Sequence, residues 1–397
     1  MRDYAEILRT PRVAVLICAT LLNRLPFAIN SLAVLLYVQG LTGSFADAGV
    51  VAGGLALGSA VSAPIQGRLV DRRGEGMLMA LAWLFAASIL SIWLLGEAGA
   101  GVALLTPPAV ISGIAFPPTG SVLRSRLPQL LGNRTDLVTP AYALDSVMIE
   151  TAFISGPLLT ALGVALAGPE VMLAVSAGMM LVGTALFMAV LPPAPDAPRD
   201  EAAAGFLGAL SSPGVRTVAI ASFPVGFCLG TIEVGIPAFS ESHGTSELAG
   251  VLLAAWSAGS LAGGIVYGAR RSRSPLVEVH ARLAVLLPLA CLPLLLAGPP
   301  LSMALLVILA GLPVAPLIAS RNELVSQVAP SGAHTEAFTW PLTALVGGLS
   351  LGTATGGTLV DASGWAMAMA VGIGAAVAGA WFVLGRRNTL RAAPATA

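Results

Sequence analysis

Apolar residues run in long blocks along this chain, broken by short polar segments, and the blocks have the length of a bilayer crossing. A spanning helix needs about 20 apolar residues. Windows of that kind lie at 13–38, 46–66, 77–95, 102–123, 138–166, 170–191, 215–239, 247–269, 280–297, 301–320, 336–359 and 364–385. Gly and Pro occur inside many of them, which bundled membrane helices tolerate because neighbours satisfy the freed backbone groups. The pattern predicts an all-α membrane protein with 12 transmembrane helices. The first window stays apolar to Val38 with no small-residue cleavage site, so it reads as a retained span and not as a signal peptide.

The polar segments between windows sort by charge. One set carries Arg2, Arg9, Arg12, Arg68, Arg72, Arg73, Arg124, Arg126, Arg134, Arg199, Arg216, Arg270, Arg271, Arg273, Arg282, Arg321, Arg386, Arg387 and Arg391. The alternate set carries Asp47, Glu97, Glu170, Glu241, Glu247 and Asp361 and no Arg. The positive-inside rule assigns the first set, with both termini, to the cytoplasm, so a multi-pass protein of the cytoplasmic membrane is expected. Arg24 alone departs from the alternation.

The two halves repeat each other. AGVVAGGLALGSAVSAPIQGR (48–68) aligns without a gap to AGVLLAAWSAGSLAGGIVYGA (249–269), matching Gly58 with Gly259, Ser59 with Ser260 and Gly67 with Gly268. GIAFPP (113–118) answers GLPVAP (311–316) at nearly the same offset. A parallel six-helix repeat follows: two pseudo-symmetric six-helix bundles at 1–191 and 215–397, joined by a polar, Pro-rich cytoplasmic linker at 192–214.

GRLVDRRGEG (67–76), after the second window, concentrates charge in a chain that otherwise has little. Gly67, Leu69, Asp71, Arg72 and Gly74 resemble the G-x-L-x-D-R-x-G loop signature of the major facilitator superfamily. Glu75 and Gly76 stand where that family carries two basic residues, and Arg73 supplies a charge nearby. The resemblance extends to the whole chain by span count, repeat and orientation, and it implies an efflux-type transporter that works by alternating access. Gly67 suits close packing and Gly74 a sharp turn. Asp71 is expected to accept hydrogen bonds from a helix N-terminus near Ser331 to Glu336. Gly67, Asp71, Arg72, Arg73 and Gly74 are therefore expected to form a gating loop. GARRSRS (268–274), the second copy, lacks the Asp and reads as an anchor. Gly156 and Pro157 in the fifth window resemble a degraded form of the family's antiporter signature, and a Pro kink beside a close-packed Gly explains them equally well. The family's buried Arg of the fourth helix has no counterpart within 102–123, since Arg124 comes only after that window.

Composition agrees with the membrane reading. The chain of 397 residues is 56% hydrophobic and 10% charged, against about 25% charged in soluble domains. Net charge is zero, which leaves no electrostatic footprint for nucleic acid. Cys18, Cys228 and Cys291 are scattered in apolar runs, and His243, His280 and His334 lie near loops without partners at ligand spacing, so no metal is expected.

Ionisable and amide groups within the windows mark the candidate site, because such groups usually face a cavity or a partner. Asn23 and Asn30 are two helical turns apart and share a face, with Arg24 beside it; together they suit a polar or anionic solute, Arg24 binding an anion or pairing with a carboxylate. Glu233 in the seventh window has no cation near it in sequence and is a candidate for carrying a proton, since burial favours a neutral carboxyl. Asp145 and Glu150 point about 140° apart on the fifth helix. Asp145 is expected to pair with Arg124, Arg126 or the gating loop, and Glu150, deeper, to bind a proton. Arg321, Asn322, Glu323 and Glu336 read as interface charges.

The expected function is secondary transport of a small organic solute, as proton-coupled efflux, with the proton as coupling ion and no other cofactor. The alternative is proton-independent or symport uptake of a sugar, nucleoside or organic anion. An enzyme would need a catalytic constellation that the chain does not offer, and a monomer is expected.

Overall fold

The structure, a computed structural model, describes residues 2–43, 45–132, 134–192, 208–244, 248–270 and 274–391, and gives only the backbone path of residues 2, 3, 11, 31, 45, 46, 150, 153, 154 and 157. Among the described residues there is no strand. The helices are α1 (Arg2–Arg9), α2 (Pro11–Thr42), α3 (Phe45–Arg73), α4 (Met77–Glu97), α5 (Val102–Ile114), α6 (Thr119–Leu131), α7 (Val138–Ala167), α8 (Pro169–Val190), α9 (Pro213–Ser242), α10 (Ala249–Ala269), α11 (Leu276–Cys291), α12 (Pro300–Gly311), α13 (Val314–Val328), α14 (His334–Ser363) and α15 (Trp365–Arg386). Local chemistry sets several ends. Pro11 opens α2, and Gly43 closes it at φ 71° with its N–H on the Gln39 carbonyl, 2.8 Å. Ser212 accepts from the Val215 N–H at the start of α9.

Eleven helical stretches among the described residues are long and apolar enough to cross a membrane. The fifth window is occupied by α7, a helix of 30 residues whose apolar stretch is Leu158–Ala167. Large side chains such as Leu94, Leu166, Leu296 and Trp381 stay uncovered by protein, as lipid-facing residues do.

Two windows differ in shape from the expectation. The fourth does not end at residue 123. It breaks at Phe116-Pro117-Pro118 and resumes as α6 to Leu131, so Arg124 and Arg126 lie inside the stretch Val102–Leu131. The tenth breaks at Leu312-Pro313 and runs on to Val328. Proline at each break removes a backbone donor and bars a continuous helix. Of the linker, residues 193–207 lie outside the described residues, and so do Arg271 to Arg273 of the second loop copy.

Packing groups the chain into two compact units, one comprising Met1–Glu6, Leu127–Glu150 and Arg199–Ala397, the other Ile7–Arg126 and Thr151–Pro198. In the second unit α2, α4 and α8 enclose a core that includes Tyr37, Phe85, Ile89, Ile92 and Leu173. Lipid tails are as apolar as Leu, so such helices associate through close packing and hydrogen bonds and not through apolar burial alone. The sequence repeat supplies that packing. Gly58 on α3 lies against the Val110 carbonyl of α5, and Gly113 on α5 against the Leu55 carbonyl of α3. In the other unit Gly259 on α10 meets the Ile308 carbonyl of α12, and Gly311 meets the Trp256 carbonyl. The residues matched by the repeat thus perform the same task twice, letting a spanning helix touch the first half of a broken one.

Candidate solute and proton sites

The break in the fourth span is a built structure. Gln66 on α3 donates to the Ile114 carbonyl, an acceptor the end of α5 leaves without an intrahelical donor. Phe116 within the break is held edge-on by Phe27 at 5.5 Å and by Phe85 at 5.9 Å. On its far side α6 begins with Thr119 and Gly120. A methyl group on Gly120 would come 3.0 Å from Nη2 of Arg24 and 3.6 Å from Nη1 of Arg124. Two guanidinium groups from α2 and α6 therefore converge over one glycine. Arg124 is 5% exposed and donates to Ser121 Oγ at 3.1 Å. The expectation that it follows the span is corrected: α6 continues past it, and the chain does carry a buried Arg in its fourth span.

Asn23 and Asn30 share a face of α2, as expected, and that face packs on α8. Asn23 Oδ1 accepts from Thr184 at 2.9 Å and its Nδ2 donates to the Ala19 carbonyl at 3.0 Å. Asn30 Oδ1 accepts from Ser176 at 2.7 Å, while its buried Nδ2 has no hydrogen-bond partner. Gly156 of α7 lies against Ala28 of α2, and Thr160 Oγ1 donates to the Ile29 carbonyl at 3.4 Å, so this glycine serves close packing. Pro157 continues the helix; its ring and the Glu150 side chain lie outside the described side chains.

The gating segment is mostly helix, because α3 runs through Arg73. Gly67 is buried, Asp71 half-buried, and Arg72 and Arg73 exposed. Gly74 takes φ 88°, a left-handed conformation open to Gly at no steric cost, and makes the turn into α4. Glu75, the departure from the family pattern, forms an ion pair with Arg126 of α6. The helix expected to receive Asp71 begins at His334, with Thr335 and Glu336 buried in its first turn.

In the unit that holds α9 to α15, Glu233 is exposed on α9, and Asp145 is buried on α7 (2% exposed). Arg321, Asn322 and Glu323 on α13, and Glu336 on α14, are buried as well, not interface charges as their sequence position suggested. Asn322 Oδ1 accepts from Arg321 at 3.3 Å. Glu323 Oε1 accepts from Thr139 of α7 at 2.8 Å; its Oε2 is buried with no hydrogen-bond partner. Trp340 donates to Glu336 at 3.2 Å. His280, one turn into α11 from the loop before it, is buried, with Nδ1 2.9 Å from Ser320 Oγ. It and Arg321 border a cavity of about 20 Å³, the size of one water.

The sequence held a signal for this cluster. Arg124 lies six residues after Pro118, and Asn322 lies six after Pro316 in the matching repeat. Extending the repeat past its two prolines places the Arg321–Glu323 group where Arg124 sits.

Beside the cluster, Tyr142 of α7 stacks on Phe338 of α14 at 6.3 Å. Tyr4 of α1 reaches the Gly264 and Ile265 carbonyls of α10, 3.1 and 3.2 Å. Burial pushes the Tyr4 hydroxyl up to about 12, so it remains a donor at neutral pH.

The sequence pattern of the Major Facilitator Superfamily matches residues 16–287. The human organic anion transporter MFSD10 superposes with TM-score 0.73 at 16% identity, over 94% of this chain and 99% of that one. A bacterial homologue of the iron transporter ferroportin, in an outward-facing state, gives 0.79 at 12% identity, over 94% and 99%. The fucose:proton symporter FucP of E. coli gives 0.71 at 15% identity, over 94% and 97%. No curated protein matches the sequence. With two interrupted spans in matching places, a duplicated glycine packing and a family pattern over more than two thirds of its length, this chain belongs to the Major Facilitator Superfamily.

Proposed function

We propose that this transporter moves a small organic solute across the cytoplasmic membrane by alternating access, coupled to protons and directed outward. One observation supports the transport part of this reading: each half contains a spanning helix broken at a matching proline motif, with buried charged or amide side chains just beyond the break. Gly/Pro-interrupted spans at corresponding positions of two repeats point to a substrate site, because broken helices present backbone groups and side chains that continuous ones keep satisfied. Protons couple to such a cycle through carboxylates whose affinity differs between its two facing states. Glu233 is the first candidate, since a carboxylate left uncovered by protein on a membrane helix is tolerable only where water or solute reaches it. Glu150 is the second. Asp71, between Gly67 and Gly74, is the latch that closes one face.

A second reading, uptake of an anionic solute, is favoured by the convergence of Arg24 and Arg124 over Gly120. Guanidinium groups bind carboxylate and phosphate through paired hydrogen bonds.

Vesicles reconstituted with purified protein and a trapped pH-sensitive dye test both readings, with organic anions, sugars and lipophilic cations as solutes. Solute-triggered proton movement in the wild type, abolished in Glu233→Gln or Glu150→Gln, is expected. Solute flux with no proton movement, unchanged in both variants, would end the coupled reading. An anion-selective flux lost in Arg24→Gln would then establish the second.

A further inference from the structure

We infer that the groove between α11 and α15 is a binding site for one anionic phospholipid of the leaflet that meets the Arg-rich face. The groove has a volume of about 580 Å³, within the range of about 300–1,000 Å³ usual for small-molecule sites. Its lining combines apolar and basic side chains. Val285, Leu286, Leu289 and Leu384 line the part that lies along the spanning helices, and Arg282, Arg387 and Arg391 line the end. Glu278 is the one acidic lining residue, and it pairs with Arg282 at 3.4 Å. That leaves Arg387 and Arg391, for which the described residues provide no carboxylate and no hydrogen-bond partner.

The backbone turn that carries Arg387 and leads to Arg391 is anchored. The 3₁₀ turn Arg387–Leu390 follows α15, Leu390 is buried, and Thr389 shares a hydrogen bond of 2.8 Å with Thr217 of α9. A phosphate headgroup placed between Arg387 and Arg391 gains two cations, and an acyl chain then runs along Leu286 and Leu289. A basic pocket between membrane helices at the cytoplasmic surface is the arrangement that recognises anionic headgroups. A free anion would use only the arginines of this groove, and a neutral lipid only its apolar side chains. The occupant that matches both is an anionic phospholipid.

Native mass spectrometry of the full chain, with phosphatidylglycerol or phosphatidylcholine of equal chain length, tests the site. The variants are Arg387→Gln/Arg391→Gln, which removes the headgroup contacts, and Leu289→Trp, which fills the apolar half and keeps every arginine. The control is Arg270→Gln/Arg386→Gln, an equal loss of charge from exposed residues outside the groove. Expected is one retained phosphatidylglycerol, with affinity lowered roughly tenfold or more in both variants and unchanged in the control. Equal weakening in the control would reduce the effect to diffuse charge and overturn the site. So would equal retention of phosphatidylcholine, wild-type retention by Leu289→Trp, or a dimer that disappears with Arg387→Gln/Arg391→Gln.

Discussion

Glu75 and Arg126 show how a departure from a family pattern is absorbed by a single contact. Where the family's loop carries two basic residues, this chain places an acid, and α6 supplies the cation. Side-chain exposures of 9% for Arg126 and 20% for Glu75 put the pair between an exposed ion pair, worth about 0–1 kcal/mol, and a buried one, whose disruption costs about 3–5 kcal/mol. Arg126→Gln is therefore expected to destabilise by about 1–3 kcal/mol, read as a lower thermal midpoint in detergent. Adding Glu75→Gln should restore part of the loss, because it removes the stranded carboxylate; additive losses in the double variant would show that the two do not interact. The turn at Gly74 and the buried Gly67 were legible in sequence, since a glycine signature states where backbone must bend or approach. The Glu75–Arg126 pair was not, because the two residues are distant in sequence and the break that brings Arg126 into the membrane was hidden inside an apolar window.

At the scale of elements, the glycines matched by the repeat define two helix crossings. A Cβ at Gly58 would overlap the Val110 carbonyl, and one at Gly259 the Ile308 carbonyl. Gly58→Ala and Gly259→Ala should each cost about 1–3 kcal/mol, the usual penalty of overpacking. Gly53, on the same helix as Gly58, has nothing within 4 Å of such a Cβ. Gly53→Ala should be neutral or stabilising by about 0.5–1 kcal/mol, the helix preference of Ala over Gly. Thermal midpoints of the three variants decide the matter: equal behaviour at Gly53 and Gly58 would show that the crossing is looser than the packing implies. The existence of these helices followed from apolar length alone, and their breaks did not. Prolines at 117, 118 and 313 lie in windows of the right length, and membrane helices often accommodate proline without breaking. What ends α5 is the combination of adjacent prolines with Gln66, which satisfies the Ile114 carbonyl.

At the scale of the whole molecule, the charge alternation makes an orientation testable. Tags at both termini are expected to be reached only from the cytoplasmic side, and a label at Ser242 or His243 only from the outside. Termini on opposite sides would require an odd number of spans and would overturn the twelve-span reading. The solvent of this protein, its helical class, its internal repeat and its family are legible along the chain. Those properties are carried by hydropathy, by spacing and by a few glycines, all of them local or periodic. Which polar residues are buried, and against what, depends on contacts between distant segments: Asn23 and Asn30 on α8, Arg124 beside Arg24, and Glu323 with Thr139. The reason is physical. Charge in a membrane sequence marks a loop only if the helix ends there, and a helix end depends on breaks and on hydrogen-bond partners that distant segments supply.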